Sequence, residues 1–437
     1  MAIIPQKQLF GWNDITELGD LERFSSIIKY LPDEELMITL ENHRGKGRDD
    51  YPIRPVWNSI LAGIIFEHES IESLRRELQR NGQLREICGF DLCKGIKAVP
   101  KDYIYSRFLR LLFKYYDLVQ KMFDRLVKDL TSLLPDLGKT LAIDGKAIQS
   151  YAKRKGNHEE DMRGEHDADW GVHEYKGTDK KGKTWKKVKR WFGFTLHLVV
   201  DAKYELPVSF TVTKASKNEM PVAHMLLSRL KQENEEIVDR CEYWLSDKGQ
   251  DDGKMIKKLW DEHKIKSVID IRNMWKDCDK TRLVEGQENV IYNWKGTVYC
   301  MCPAENKMRE MAYGGFEEKR GTLKYKCPAI NYGFECTGKK KCNVKSSIRI
   351  PITKDRRIFT PVARSSYKWK RIYNMRTAVE RVNSRIDNVF KFEKHKLRGI
   401  KKISLKLLLS FCMLLSLTKS RIENEQEEKM IQFLKAG

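Results

Sequence analysis

Three acidic residues have the types and surroundings that phosphodiester chemistry needs: Asp144, Asp247 and Glu380. Asp144 follows the apolar run 141–143, Asp247 follows the run 243–246, and a glycine comes one or two residues behind each. A carboxylate that ends a buried strand is held on a rigid element at the sheet edge. Two such carboxylates and a helical glutamate on a strongly basic chain predict a site where Mg²⁺ ions bind the attacking and leaving oxygens. The pattern indicates an enzyme that cuts and joins DNA.

Five predicted strands position the two aspartates. Each is an apolar run or alternates with period two, and they cover 140–144, 194–200, 208–212, 243–247 and 268–271. Amphipathic helices separate the last three, so the order is β-β-β-α-β-α-β. That is the order of a ribonuclease-H-like sheet, in which the first and fourth strands are neighbours. The order therefore predicts that Asp144 and Asp247 meet although they lie 103 residues apart.

Glu380 belongs to a predicted helix over about 373–390. At about 100° per residue, one narrow arc of this helix carries polar side chains: Tyr373, Arg376, Glu380, Ser384 and Asp387. An apolar stripe adjoins the arc, so the helix packs by one face and presents Glu380 at the edge of the other. The alternative is an ordinary solvated row of charges with an Arg376–Glu380 pair.

The overall charge points to a polyanionic partner. The chain of 437 residues has 83 Lys and Arg against 61 Asp and Glu, a formal charge of +22. Such an excess suits a polyphosphate, whose counterions are released on binding; an anionic membrane surface is the rival partner. We find neither a signal peptide nor a membrane-spanning run, and ten cysteines without a secretory signal indicate a reducing compartment. We therefore expect a cytoplasmic, nucleoid-associated protein that binds double-stranded DNA and no membrane.

The composition along the chain predicts a mixed α+β or α/β protein in several parts. A helical N-terminal domain covers 1–135, either as a packing module or as a binder of DNA ends. The ribonuclease-H-like domain, a mixed five-stranded sheet flanked by helices, takes 138–274 and 361–421. Between its two parts lies an inserted β-rich lobe that contains cysteines, 275–360, and a charged tail follows at 422–437.

A basic run with interleaved tryptophans is a candidate DNA-backbone contact. Its main candidates are Lys180, Lys181, Lys186, Lys187 and Arg190. The alternative is a solvated basic loop. The acidic stretch 158–169 before it is interpreted as a loop between strands, and Asp270 is the best rival for a fourth carboxylate.

Four cysteines of the inserted lobe could supply thiolates to a structural zinc ion: Cys302, Cys327, Cys336 and Cys342. Their spacing differs from the usual paired C-x-x-C, so unliganded thiols are an equal alternative. A saturated thiolate site would fold the lobe and leave no open catalytic position.

Several stretches resemble the acidic motifs of DDE-type bacterial insertion-sequence transposases. They are Ile143-Asp144-Gly145-Lys146, Leu245-Ser246-Asp247-Lys248-Gly249 and Tyr373-x2-Arg376-x3-Glu380-Arg381-Val382-Asn383. Two further similarities are Trp191-Phe192-Gly193-Phe194-x2-His197-Leu198-x2-Asp201 and Tyr51-Pro52-Ile53-Arg54-Pro55-Val56-Trp57. The chain departs from the family in one place, because related enzymes have a Lys seven residues after the Glu and this chain has Asp387. Lys391 or Arg385 is a candidate substitute.

The resemblance implies a DNA transposase. In it, Asp144, Asp247 and Glu380 would hold two Mg²⁺ ions, for which Mn²⁺ can substitute. Water would attack the phosphodiester at the element's inverted-repeat end, and the freed 3′-OH would then attack target DNA. Tyr373 and Arg376 would contact phosphate near the cut, and a homodimer would bring paired ends together. Two rivals are a DNA-binding relic without catalysis, against which the three acids argue, and a ribonuclease-H-like nuclease that cleaves without joining.

Overall fold

The computed structural model describes residues 19–45, 50–153, 164–178, 183–277, 279–302, 304 and 307–432. Seven α-helices come first: α1 (Asp20–Tyr30), α2 (Glu34–Arg44), α3 (Ile53–Ile65), α4 (Ile71–Arg80), α5 (Gly82–Cys88), α6 (Asp102–Lys114) and α7 (Tyr116–Leu133). Two of these helices, α4 and α5, begin with a side-chain cap. The Ser70 side chain accepts a hydrogen bond from the Ser73 N–H, and the Asn81 side chain accepts one from the Leu84 N–H.

Helix α3 is the buried centre of this helical part. Its Trp57 is fully buried and donates to Asp33 Oδ2 at 2.6 Å, and Arg54 donates to the other oxygen of the same carboxylate at 2.5 Å. One carboxylate in front of α2 therefore binds two residues of the 51–57 motif. The motif fixes the packing of α2 against α3.

The central sheet has six strands: β1 (Thr140–Gln149), β2 (Asp169–Thr178), β3 (Thr184–Asp201), β4 (Leu206–Lys214), β5 (Tyr243–Ser246) and β6 (Lys266–Ile269). Their order is β2-β3-β1-β5-β6, with β4 paired to β3. Strands β1, β5 and β6 are parallel, while β3 is antiparallel to β1, β2 and β4. The predicted fold class is confirmed, including the adjacency of the first and fourth predicted strands, β1 and β5.

Two predictions about the strands are wrong. β1 runs on past Asp144 to Gln149, because β3 continues to pair with it as far as Gly193. The sheet has six strands instead of five, because β2 pairs with the first half of β3 in an antiparallel ribbon; this ribbon carries Lys186, Lys187 and Arg190, for which a solvated loop was the alternative. Lys180 and Lys181 lie outside the described residues.

Helices α8 (Glu219–Glu233), α9 (Glu235–Arg240) and α10 (Gly253–His263) connect the later strands. The inserted lobe follows, with a four-stranded and a three-stranded antiparallel sheet and one short helix. Its elements are β7 (Arg282–Leu283), β8 (Val290–Tyr292), β9 (Val298–Met301), β10 (Met308–Glu310), β11 (Ala312–Glu317), β12 (Thr322–Lys326), α11 (Pro328–Tyr332) and β13 (Ser347–Pro351).

A buried ion pair ties the lobe to the central sheet. Asp251, whose side chain is wholly buried, accepts from Arg357 Nε at 2.9 Å and from Arg357 Nη2 at 2.6 Å. Arg364 donates to the backbone carbonyls of Ile269 and Ile358, at the end of β6 and at the end of the lobe. The lobe has its own apolar core, and these contacts set where that core lies relative to β5 and β6.

Three helices close the described chain: α12 (Tyr367–Asn374), α13 (Thr377–Phe390) and α14 (Ile400–Glu423). The predicted helix over 373–390 is present but divided, because Met375 and Arg376, which keep right-handed helical backbone angles, form a turn between α12 and α13. Helix α14 is buried along most of its length and packs against α1, α3, α7 and β4. One apolar core therefore extends from the N-terminal helices through α14 to the sheet. Of the helices in the described ranges, none has the length and apolar character to cross a membrane.

Candidate active site

Asp144 and Asp247 lie at the same level on neighbouring parallel strands. Ala142 pairs with Leu245, so each aspartate comes two residues beyond a paired position. Asp144 is inside β1 and opposite Leu198 of β3, whereas Asp247 comes directly after the last residue of β5. The sheet thus brings the two predicted carboxylates to one edge, as the strand order requires.

Backbone N–H groups orient both carboxylates. Gly145 donates to Asp144 Oδ1 at 2.9 Å, and Gly249 donates to Asp247 Oδ1 at 2.8 Å. A Cβ on Gly249 would lie 2.8 Å from the same Asp247 oxygen, so a side chain there would collide with the carboxylate. The N–H of the glycine that follows each aspartate therefore holds one oxygen of that carboxylate in place.

Negative charge is crowded at this edge of the sheet. The pKa of Asp144 is raised to about 6, first by burial and second by the neighbouring charge of Asp247, although the Gly145 N–H and Arg376 act in the opposite direction. A raised carboxylate pKa means that its anion is stabilised poorly by the protein alone. A divalent cation between the two acids would relieve this repulsion.

Glu380 lies in the first turn of α13 and is half exposed. Arg376 stands between it and Asp144: its Nη2 is 2.7 Å from Glu380 Oε1 and its Nη1 is 4.0 Å from Asp144 Oδ2. Arg376 lies in the turn between α12 and α13, four residues before Glu380. The Tyr373 ring lies beside the same guanidinium, 5.8 Å from it, and stacks on Trp369 at 4.5 Å.

A fourth carboxylate, Glu219, was missed by the sequence analysis. It is the first residue of α8, and its Oε1 lies only 2.7 Å from where a Cβ on Gly145 would be. Burial raises the pKa of Glu219, and the charge of Asp247 adds to this effect. The available signal was a Glu directly after a helix-capping Asn218, six residues beyond the third predicted strand. Asp270, the expected rival, instead follows β6 near the buried Arg364.

The donor set suits Mg²⁺ in kind, since Mg²⁺ binds carboxylate oxygens and keeps several waters. Asp144 and Asp247 would hold the ion, and Glu380 would join them once it is released from Arg376. Across the described ranges, no three His, Cys, Asp or Glu side chains are already close enough to share one metal ion. Glu380 is instead paired with Arg376.

The zinc prediction for Cys302, Cys327, Cys336 and Cys342 is not supported. The same absence of a metal-binding group among described residues applies to the inserted lobe. Cys342 Sγ instead accepts a hydrogen bond from Asn289 Nδ2 at 3.0 Å, and Cys302 Sγ lies 3.7 Å from the Thr337 hydroxyl. The cysteines nevertheless lie near one another, because Cys336 forms a side-chain hydrogen bond with Cys302 and is close to Cys327.

A groove of about 500 Å³ begins at Glu380 and continues between α13 and the β2–β3 ribbon. Lys189 and His173 of the ribbon line it. Lys187 alternates to the same ribbon face as Lys189, whereas Lys186 and Arg190 are on the opposite face. Lys186 binds Glu174 there at 2.7 Å, and Arg190 lies with Trp170 and Phe192 in a separate depression. The predicted basic residues therefore divide between two faces of one ribbon.

Neither candidate substitute for the absent family lysine faces this groove. Arg385 is bound to Glu205, and Lys391 Nζ is 3.6 Å from Glu67. Asp387 itself forms an ion pair with Lys146 of β1, and both residues line the groove.

The family model described as "Transposase DDE domain" matches residues 138–416, more than half of the chain. That span begins just before β1 and ends within α14, so it takes in all four carboxylates. No curated protein matches the chain, and no solved structure matches it.

Proposed function

The chain belongs to the transposase DDE domain family, and from this premise we propose that it binds the terminal inverted repeats of an insertion sequence, cleaves the element ends and joins the freed 3′-OH to target DNA. The observation that carries the proposal is the placement of Asp144 and Asp247 at one level of two parallel strands, with Glu380 beyond Arg376.

The proposed site residues have separate roles. Asp144, Asp247 and Glu380 hold Mg²⁺, or Mn²⁺ in its place. When bound, the metal neutralises charge that develops at the phosphorus and lowers the pKa of the attacking water or 3′-OH. Arg376 turns from Glu380 to a phosphate oxygen of the DNA, which leaves Glu380 available for the metal; a guanidinium suits both partners because it binds carboxylate and phosphate alike. Tyr373 keeps Arg376 in reach and contacts the same phosphate.

The β2–β3 ribbon is proposed as a DNA-binding element. Lys186, Lys187 and Arg190 lie on it, and Lys180 and Lys181 belong to the same basic run. A two-stranded ribbon is narrow enough to enter the major groove, and lysines on both of its faces can then reach the phosphates on either side. The excess of Lys and Arg over the whole chain favours the same partner.

We also infer that a homodimer acts on paired element ends, as the family resemblance implies. Each copy would supply its own acids to one end. The N-terminal helices remain the candidate for recognition of the repeat.

The test is cleavage of a labelled duplex that carries the element end and its flanking DNA, in Mg²⁺. Wild type is compared with Asp144→Ala, Asp247→Ala and Glu380→Ala, and binding is measured beside cleavage. We expect wild type to release a 3′-OH at the element boundary and the three variants to bind without cutting.

Other outcomes identify the alternatives. If wild type binds the end but never cuts in Mg²⁺ or Mn²⁺, the chain is a DNA-binding relic. If it cuts but never joins the 3′-OH to a supplied target duplex, the chain is a nuclease without strand transfer.

A further inference from the structure

The Lys146–Asp387 ion pair has no part in the proposed metal site, yet it lies in the groove that begins at Glu380. Lys146 belongs to β1 and Asp387 to α13, so the pair joins the strand that carries Asp144 to the helix that carries Glu380. Both side chains are 15% exposed. Side chains with this exposure are partly buried but still in contact with solvent. Either of them can therefore bind a ligand that enters the groove.

Lys146 has a fixed position relative to the acids. It is two residues after Asp144 on a strand without a bulge, so both side chains leave the same face of the sheet. Two residues of a strand span about 6.6 Å, which is on the scale of one nucleotide step along a DNA strand. A DNA strand whose reacting phosphodiester lies at Asp144 therefore brings a neighbouring phosphate toward Lys146.

We propose that Lys146 binds a DNA phosphate next to the reacting phosphodiester and that Asp387 is the positioning residue that holds its ammonium in the groove. The inference rests on the proposed function. An ammonium has three N–H donors, and the Asp387 carboxylate occupies one of its sides. A phosphate oxygen would take another.

The other cations near α13 do not fill this role. Arg381 and Arg385 both bind Glu205, and Lys391 faces Glu67. Arg376 is held by Glu380 at the metal end of the groove. Lys146, with Lys189 of the ribbon, therefore supplies positive charge along the part of the groove that extends away from the acids.

The competing explanation is that the pair only fastens α13 to β1. Salt dependence of DNA binding separates the two, because each lost phosphate contact lowers the slope of log K against log salt by about one. Binding of a fluorescent duplex with the element end is measured by anisotropy in Ca²⁺ at several salt concentrations. Binding is the readout, so the test does not depend on catalysis.

We expect Lys146→Gln to bind more weakly, with a slope lower by about one. Asp387→Asn keeps the ammonium and should therefore keep the wild-type slope, but it loosens the position of the ammonium and should weaken binding at each salt concentration. Lys128→Gln, a change of the same charge on the exposed side of α7, is the matched control and should also keep it. Because Lys146→Gln leaves a carboxylate without its cation, the double variant Lys146→Gln/Asp387→Asn, whose amides can bind each other, is measured beside it and should show the same loss.

A wild-type slope in both Lys146→Gln and the double variant would overturn the inference and leave the pair a structural fastener. If wild type shows no binding to the element end, the proposed function fails instead. The two failures are thus distinguishable in one set of titrations.

Discussion

Arg376 Nη2 lies 2.7 Å from Glu380 Oε1, and its Nη1 lies 4.0 Å from Asp144 Oδ2. The arginine therefore belongs to the acidic site, since it lies between two of its carboxylates. Its guanidinium spans two carboxylates that come from a helix and a strand. Any rearrangement that brings Glu380 to a metal must first move Arg376.

Replacement of Arg376 should impair cleavage even when the positive charge is kept. Arg376→Lys has a point charge on a flexible stem and cannot span two carboxylates or bind phosphate with a fork of N–H groups. We expect both Arg376→Lys and Arg376→Ala to lower the cleavage rate by at least tenfold, an effect of about 1.4 kcal/mol or more. Single-turnover cleavage of the labelled end measures it, and Arg381→Lys, five residues later on α13 but bound to Glu205, is the control. Full activity of Arg376→Lys would contradict the bridging role.

Removal of the Asp144 charge should stabilise the fold near neutral pH. Its pKa is raised from 3.8 to about 6, so between these values the folded chain holds a proton that the unfolded chain has lost, and stability falls as pH rises. Asp144→Asn lacks this pH-dependent loss of stability. Its free energy of unfolding should therefore exceed that of wild type by roughly 2–3 kcal/mol above pH 6. The gain should fade toward pH 4.

Urea denaturation at several pH values measures the difference between Asp144→Asn and wild type. The comparison of the two proteins is needed because burial also raises the pKa of Asp124 to about 6. Asp124 therefore titrates in the same pH range in both proteins, and its contribution cancels in the difference. Mg²⁺ should stabilise wild type and leave Asp144→Asn unchanged. If Asp144→Asn is less stable than wild type at pH 7, contacts of the Asp144 carboxylate offset the cost of burying its charge, and the prediction is wrong.

Glu219 should contribute to metal affinity. Its carboxylate lies beside Gly145 and near Asp247, so Glu219→Gln removes one of the charges that attract a divalent ion. We expect weaker Mn²⁺ binding by calorimetry. Gly145→Ala should act in the same direction, because its new Cβ occupies space 2.7 Å from Glu219 Oε1.

The two changes should not be additive, since each disturbs the same carboxylate. Glu233→Gln, at the other end of α8, is the control for a change of helix charge. Additive losses from Gly145→Ala and Glu219→Gln would mean that Gly145 acts independently of Glu219.

Loss of the Asp251 carboxylate should be costly for stability. Asp251→Ala leaves Arg357 without its acidic partner and removes one of the carboxylates near Arg364, and breaking a buried pair costs about 3–5 kcal/mol. Asp252→Ala is a neighbouring control that removes the cap of α10, at about 1 kcal/mol, together with a part-exposed contact to His224. Urea midpoints compare the two variants. If the two variants lose the same amount of stability, the Asp251–Arg357 pair stabilises the fold no more than a helix cap does.

The strands that carry the two aspartates could be predicted because the sequence marks them twice, by an apolar run and by the glycine behind each acid. Their adjacency followed from strand order alone. The β2–β3 ribbon gives neither signal, since Trp185, Lys186, Lys187 and Val188 are exposed in turn and no buried face imposes a period of two.

The break before Glu380 was hidden for a different reason. Tyr373, Arg376 and Glu380 keep helical spacing on both sides of it, and the two residues between the helices, Met375 and Arg376, keep helical backbone angles. Glu219 and Lys146 owe their significance to residues far away in sequence, Gly145 and Asp387. Side-chain partners of that kind are set by how α8 and α13 pack on the sheet, which local patterns do not specify.

Helix α14 has a consequence for the order of events on the ribosome. Its partners α1, α3, α7 and β4 are all synthesised before it, and none of them can bury its share of the common core until residues 400–423 emerge. A nascent or truncated chain that lacks α14 would expose that apolar surface and be open to proteases and aggregation. Folding of the N-terminal helices is thereby coupled to completion of the catalytic part, so partial translation products would be eliminated rather than accumulate as free DNA-binding fragments.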